Sequence, residues 1–206
     1  MKKIKYSKKF IYLISPSKIK DLSFHELERS FKTNKVSFFQ LRLKNTSKKK
    51  IFIVGKKIKK ICDKYKIKFI INDDPFLTKK LNADGCHLGQ KDMNVSKAKK
   101  IIKNKIIGLT CHNSKKLIQN AINYKVSYIA IGSFFSSKTK KIKYKAKIDL
   151  LNYAKNITKI PIVVIGGINS NNYKKLMLNK ANFLAISGYV WKNNKYKPHE
   201  AIKKLK

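Results

Sequence analysis

The sequence predicts an α/β fold, a single (β/α)8 barrel spanning residues 1–206, and three observations predict it. Eight short apolar runs recur along the chain, lysine-rich stretches of helical periodicity separate them, and the adjacent glycines, Gly166 and Gly167, come late. The apolar runs are continuous rather than alternating, as in parallel strands buried on both faces. Strands that alternate with helices in this way build a parallel sheet. A doubly wound sheet competes with the barrel, but it would carry a glycine-rich phosphate loop after its first strand. Here Ile14-Ser15-Pro16-Ser17 follows that strand without a glycine. Barrels instead bind phosphate in the loops after strands seven and eight, where the Gly166-Gly167 pair falls.

The strand candidates, in order, are Phe10–Ile14, Ser37–Leu43, Phe69–Asp73, Gly85–Gly89, Ile106–Thr110, Tyr128–Gly132, Ile162–Gly166 and Phe183–Ser187. Between the first two, Ser23-Phe24-His25-Glu26 reads as a capping box opening a helix. Ile51 to Tyr65 places Ile51, Val54, Ile58 and Ile61 on one helical face. Asp74 is suited to cap a helix starting at Pro75, Asn113 or Ser114 one running toward Tyr124, and Ser170 or Asn171 one running toward Leu178. The 206 residues lie near the low end for this barrel, which is typically ~250 residues long, and suffice for one core.

Fifty basic residues against ten acidic ones leave a formal charge of +40. Such a charge suits a polyanion partner. The lysines, however, are spread along the whole chain, and Arg occurs only at Arg29 and Arg42. A nucleic-acid reader would use Arg at base edges and aromatic platforms for stacking, so no specific nucleic-acid partner is expected. Heavy use of Lys, Ile and Asn together fits a codon bias toward A and T. Cys62, Cys86 and Cys111 are odd in number and lack CxxC spacing, which argues against disulfide frameworks and zinc sites. No run approaches the ~20 apolar residues of a membrane helix. The basic start is followed by only a short apolar run, Phe10–Ile14, so a cytoplasmic protein is expected.

In a barrel the chemistry belongs at the carboxyl ends of the strands. Strand two ends Gln40-Leu41-Arg42-Leu43-Lys44, where alternation puts Gln40, Arg42 and Lys44 on one side. Strand three ends Asn72-Asp73, strand four runs through His87 to Asp92, and strand five ends Thr110-Cys111-His112. Strand six enters a loop from Gly132 to Lys140, strand seven ends at Gly166-Gly167, and strand eight at Ser187-Gly188. Arg42, Lys44 and Lys140 are suited to phosphate oxygens, Arg as a fork and Lys as a point charge. Ser137, Thr139, Ser187 and the glycine amides are suited to a second phosphate. Mg2+ is commonly held by one or two carboxylates plus substrate phosphates. Asp73 and Asp92, at adjacent strand ends, therefore point to magnesium diphosphate chemistry. His87 and His112 read more simply as neutral, hydrogen-bonded residues than as proton-transfer groups.

These segments, from Gln40–Lys44 through Ala83–Asp92 and Gly108–His112 to Ile165–Ile168 and Ile186-Ser187, resemble the thiamine phosphate synthase family in order and spacing. The run from Asp84-Gly85 to Asp92 is the most specific part. The resemblance implies that a hydroxymethylpyrimidine diphosphate is joined to a thiazole phosphate, giving thiamine phosphate and diphosphate. It implies that Gln40, Leu41, Arg42, Leu43, Lys44 and Asn72 bind the pyrimidine diphosphate, and that Asp73 and Asp92 hold Mg2+. Thr110 matches a position commonly occupied by serine that contacts the pyrimidine. Ser137, Thr139, Gly167, Ser187 and Gly188 match the thiazole phosphate site, Lys140 the contact to departing diphosphate, and Lys138 between them is a further substrate-binding position. Arg42, Lys44 and Lys140 would then serve catalysis by stabilising charge.

The strand-six loop departs from the family pattern. Ser133 stands where a proline follows the glycine, and Ser136-Ser137 replace Pro-Thr. The missing prolines predict a looser loop. A thiazole tautomerase-like relative of the same fold would not need Asp73, Asp92, Arg42 and Lys44 together. A basic nucleic-acid-binding protein would bind polyanions salt-sensitively and without magnesium.

Overall fold

A computed structural model describes residues 9–136 and 143–205. Its strands are β1 (Ile11–Ile14), β2 (Val36–Leu41), β3 (Lys68–Asn72), β4 (Gly85–Leu88), β5 (Ile106–His112), β6 (Tyr128–Gly132), β7 (Ile162–Ile165) and β8 (Phe183–Ile186). They pair in parallel in chain order, and β1 against β8 closes the barrel, with Leu13 opposite Ile186. Around it lie α1 (Phe24–Lys32), α2 (Lys48–Lys64), α3 (Pro75–Lys80), α4 (Val95–Ile102), α5 (Lys115–Asn123), α6 (Ile148–Ile157), α7 (Tyr173–Leu178), α8 (Gly188–Trp191) and α9 (Pro198–Lys203).

The continuous hydrophobicity of the strands follows from two cores. Outward residues such as Leu13, Phe39, Ile71 and Val164 pack under the helices with Leu27, Ile58, Ile118 and Leu176. Inward residues, among them Tyr12, Ile70, Tyr128 and Val163, fill the barrel itself. Alternate residues thus face two apolar layers, and periodicity of two is lost. All three cysteines are buried in the outer layer and free of disulfides.

Two caps match expectation, Asp74 accepting from Leu77 N at 2.9 Å and Ser114 from Leu117 N, while α2 starts earlier than Ile51, with Ser47 accepting from Lys50 N. The α7 start is corrected from Ser170 or Asn171 to Asn172, whose carboxamide accepts from Asn169 N at 2.9 Å. At α1 only half of the capping box forms. Ser23 Oγ accepts from Glu26 N, but the Glu26 carboxylate turns to His199 Nδ1 at 2.8 Å. Arg29 Nη2 donates to His199 Nε2 at 2.9 Å, so His199 ties α9 to α1. A buried polar group gains more from such a satisfied network than an exposed cap does.

Candidate active site

Each polar residue at the site is delivered by the end of a strand. Gln40 is buried at the end of β2, opposite Ile14 and Ile70 in register. The strand stops at Leu41, earlier than the expected Leu43, because the following backbone bonds elsewhere: Arg42 N donates to Ser15 Oγ at 2.8 Å and Lys44 N to Ser17 O at 2.9 Å. Strand alternation therefore does not extend to Lys44, which lies exposed in a turn beside Asn45 at φ 49°. Leu41 and Leu43 pack toward the helix-side core, which leaves their backbones to face the strand end.

Asp73 follows β3 in the left-handed region, φ 65°, its N–H donating to His87 O at 2.8 Å. Asp92 follows β4 and accepts the Gly89 N–H through Oδ2 at 2.6 Å. This bond folds the loop back and brings the Asp92 carboxylate near Asp73. Burial, then the hydrogen bond and the like charge of Asp92, push the Asp73 carboxyl up to about 7, against the opposing pull of Arg42. Two acids forced together beside an arginine and Asn72 make a donor set suited to a hard divalent cation shared with phosphate oxygens. Asp74, by contrast, turns away to cap α3 and pairs with Lys48 at 2.9 Å.

His87 lies on the inward face of β4. Its Nδ1 meets Tyr128 Oη at 2.9 Å and its Nε2 meets Thr110 Oγ1 at 2.9 Å. Burial lowers its pKa to about 4, against the Asp92 charge, so the ring is neutral. Gln90 donates to the Thr110 carbonyl and steadies the same strand end. His112, at φ 50°, stacks on Tyr144 with centroids 4.2 Å apart. Burial pushes the Cys86 and Cys111 thiols up to about 12, which makes them inert packing groups.

On the opposite side of the barrel mouth, Gly166 and Gly167 adopt φ 107° and 62°. A Cβ on Gly166 would strike Ser133, and one on Gly167 would strike the Ser136 carbonyl oxygen. The glycines thus admit the strand-six loop, whose Phe134 and Phe135 N–H groups donate to Ile165 and Gly166 O, each at 3.1 Å. Asn172 Nδ2 holds the Gly167 carbonyl at 2.9 Å. Ser187 Oγ reaches Ser15 O at 3.1 Å, and Gly188 opens α8 beside it.

Ser137, Lys138, Thr139 and Lys140, expected to bind phosphate groups, lie outside the described residues. The base of their loop is tied nonetheless. Ser133 N donates to Tyr144 O, and Ala146 N to Ser133 O, each at 2.9 Å. At Ser133 these backbone bonds supply a restraint where the family pattern has a proline.

The thiamine monophosphate synthase family model matches residues 11–190, nearly all of the barrel. A thiamine-phosphate synthase of Pelagibacter ubique is 62% identical, with 100% of each chain covered. The chain belongs to the thiamine monophosphate synthase family. As a member it is a transferase of thiamine biosynthesis. A thiamine-phosphate synthase of Erythrobacter litoralis is 36% identical over 88% of this chain and 87% of that one. Among solved structures, thiamine phosphate pyrophosphorylase from Pyrococcus furiosus superposes with a TM-score of 0.84 at 25% identity, covering 96% and 94% of the two chains.

Ser15 is a site residue of this family member that strand-end reading missed. It is buried, bonds Arg42 N and the Pro16 carbonyl through Oγ, and accepts Ser187 through its own carbonyl. One small residue thereby links the ends of β1, β2 and β8. Its only sequence signal is a serine directly after the first apolar run and before Pro16.

No helix among the described residues is long and apolar enough to cross a membrane.

Proposed function

We propose that this transferase condenses hydroxymethylpyrimidine diphosphate with a thiazole phosphate, using Mg2+, to give thiamine phosphate and diphosphate. The observation that carries the reading is the convergence of Asp73 and Asp92 beside Arg42 on one side of the mouth, with the Gly166-Gly167 turn on the other.

Asp73 and Asp92 would hold the metal, which when bound supplies positive charge to the leaving diphosphate. Arg42 binds diphosphate oxygens as a fork, and Lys44 adds a point charge from its turn. Gln40, Asn72 and Thr110 orient the pyrimidine with hydrogen bonds, while Leu41 and Leu43 contribute backbone. The amides of Gly167 and Gly188, with Ser187, receive the thiazole phosphate, and Ser137, Lys138 and Thr139 complete that side. Lys140 follows the departing diphosphate.

The chemistry is a dissociative substitution. The C–O bond from the pyrimidine methylene to diphosphate breaks first, the oxygen keeping the electron pair. The ring-stabilised cation is then attacked by the thiazole nitrogen, whose lone pair forms the new C–N bond. No protein nucleophile is needed, in keeping with the inert thiols and the neutral His87. The enzyme's contribution is charge stabilisation and alignment of the two substrates.

The test supplies purified protein with both substrates, with and without Mg2+, and follows product as fluorescent thiochrome. Magnesium-dependent product that is lost in Asp92→Ala supports the reading. Product unaffected by metal removal would sink the role given to the acid pair.

A further inference from the structure

A line of polar side chains, buried at Tyr12 and Tyr128 and half-buried at His87 and Thr110, runs up the barrel interior to the site. Tyr12 Oη meets Tyr128 Oη at 2.7 Å, Tyr128 Oη meets His87 Nδ1 at 2.9 Å, and His87 Nε2 meets Thr110 Oγ1 at 2.9 Å. The line is built into the fold. Tyr12 and Tyr128 are both buried, and the His87 ring stacks on Tyr128 with planes 13° apart. Gly108 makes the room, since a Cβ there would enter the Tyr128 ring. A glycine inside a strand weakens it and marks a close approach, here of a phenol.

The direction of the hydrogen bonds follows from the closed end. Among the described residues, the Tyr12 hydroxyl meets no partner but Tyr128. An orphaned buried hydrogen costs more than an unused lone pair. Tyr12 therefore donates to Tyr128, and the Tyr128 hydrogen, whose remaining acceptor among the described residues is His87 Nδ1, is donated there. The neutral ring then carries its proton on Nε2 and donates to Thr110 Oγ1. With that lone pair occupied, the Thr110 hydroxyl hydrogen is directed away from His87.

We propose that the Tyr12–Tyr128–His87 line is a positioning relay that fixes Thr110 as a hydrogen-bond donor to an acceptor nitrogen of the pyrimidine ring. The proposal rests on the assignment of Thr110 to the pyrimidine above. His87 acts through Thr110 and does not itself move a proton.

The first measurement is the 15N spectrum of histidine-labelled, ligand-free protein, with His87 assigned by its loss in His87→Gln. The relay requires an Nε2–H tautomer at His87. His199, which donates from Nδ1 to Glu26 and accepts Arg29 at Nε2, supplies the opposite tautomer as an internal contrast. The second measurement is kinetic. Thr110→Val and His87→Leu should each raise KM for the pyrimidine diphosphate about tenfold, with a smaller change in kcat. The double variant should be no worse than either single one, because the two residues act as one unit. His87→Gln, whose amide can accept from Tyr128 and donate to Thr110, should retain most of the affinity. An Nδ1–H His87, or additive effects in the double variant, overturns the relay. An unchanged KM in Thr110→Val while His87 stays Nε2–H overturns the placement of Thr110 on the substrate instead.

Discussion

Asp73 and Asp92 come from different strand ends, yet Asp92 lies near enough to push the Asp73 carboxyl up, and it is locked there by the Gly89 N–H at 2.6 Å. The loop that brings Asp92 back is thus held by one of the groups it delivers. Substitutions separate the two roles. Asn at position 92 retains an oxygen for the Gly89 N–H and loses the charge, whereas Ala loses both. Asp92→Asn should cut magnesium-dependent turnover about 100-fold with little change in Tm. Asp92→Ala should match that loss and also lower stability by about 1–2 kcal/mol, read by thermal denaturation.

The raised pKa of Asp73, about 7, sets a pH dependence. The folded protein binds this proton more tightly than the unfolded chain does. The resulting stability is complete below the ordinary carboxylate range and is lost as pH rises through about 7. The proposed Mg2+ site requires the ionised pair, so metal affinity should climb about tenfold per pH unit below 7 and level off above. Calorimetry in buffers of different ionisation enthalpy should show close to one proton released per Mg2+ near pH 6. Proton-independent binding would remove Asp73 from the ligand set.

Arg42 is one of two arginines in the chain, and its backbone is fixed by Ser15. Arg42→Lys keeps the charge and loses the fork. It should lower kcat/KM for the pyrimidine diphosphate about 10- to 100-fold without raising KM for the thiazole phosphate. Steady-state kinetics with each substrate varied in turn checks this.

Gly167 sits at φ 62° against the Ser136 carbonyl. Gly167→Ala should displace the strand-six loop, lower Tm by roughly 3–8 °C and raise KM for the thiazole phosphate. Differential scanning calorimetry and kinetics on the same preparation give both readings. A variant of unchanged Tm would show that the loop yields at no cost.

Much of the site was legible because barrel chemistry collects at strand ends, and apolar runs mark those ends. Gln40, Asn72, Asp73 and Thr110 fall where the runs stop. Lys44 was read less well: alternation was extended past Leu41, but a strand persists only while its backbone is paired, and Ser15 and Ser17 take those bonds. The α1 capping box misled for a similar reason, since Glu26 found a better partner in His199, 173 residues away.

Strand and helix order, the barrel, and the positions of the strand-end acids and late glycines could be read along the chain, because each rests on local periodicity, composition or a short motif. Which distant side chains meet follows instead from how the strands close in space. Tyr12 and Tyr128 are 116 residues apart and touch only because the closed barrel turns β1 and β6 inward onto one interior. Ser15 joins three strand ends for the same reason. Such contacts depend on the stagger at which eight strands close, and no residue's neighbours in the chain record that stagger.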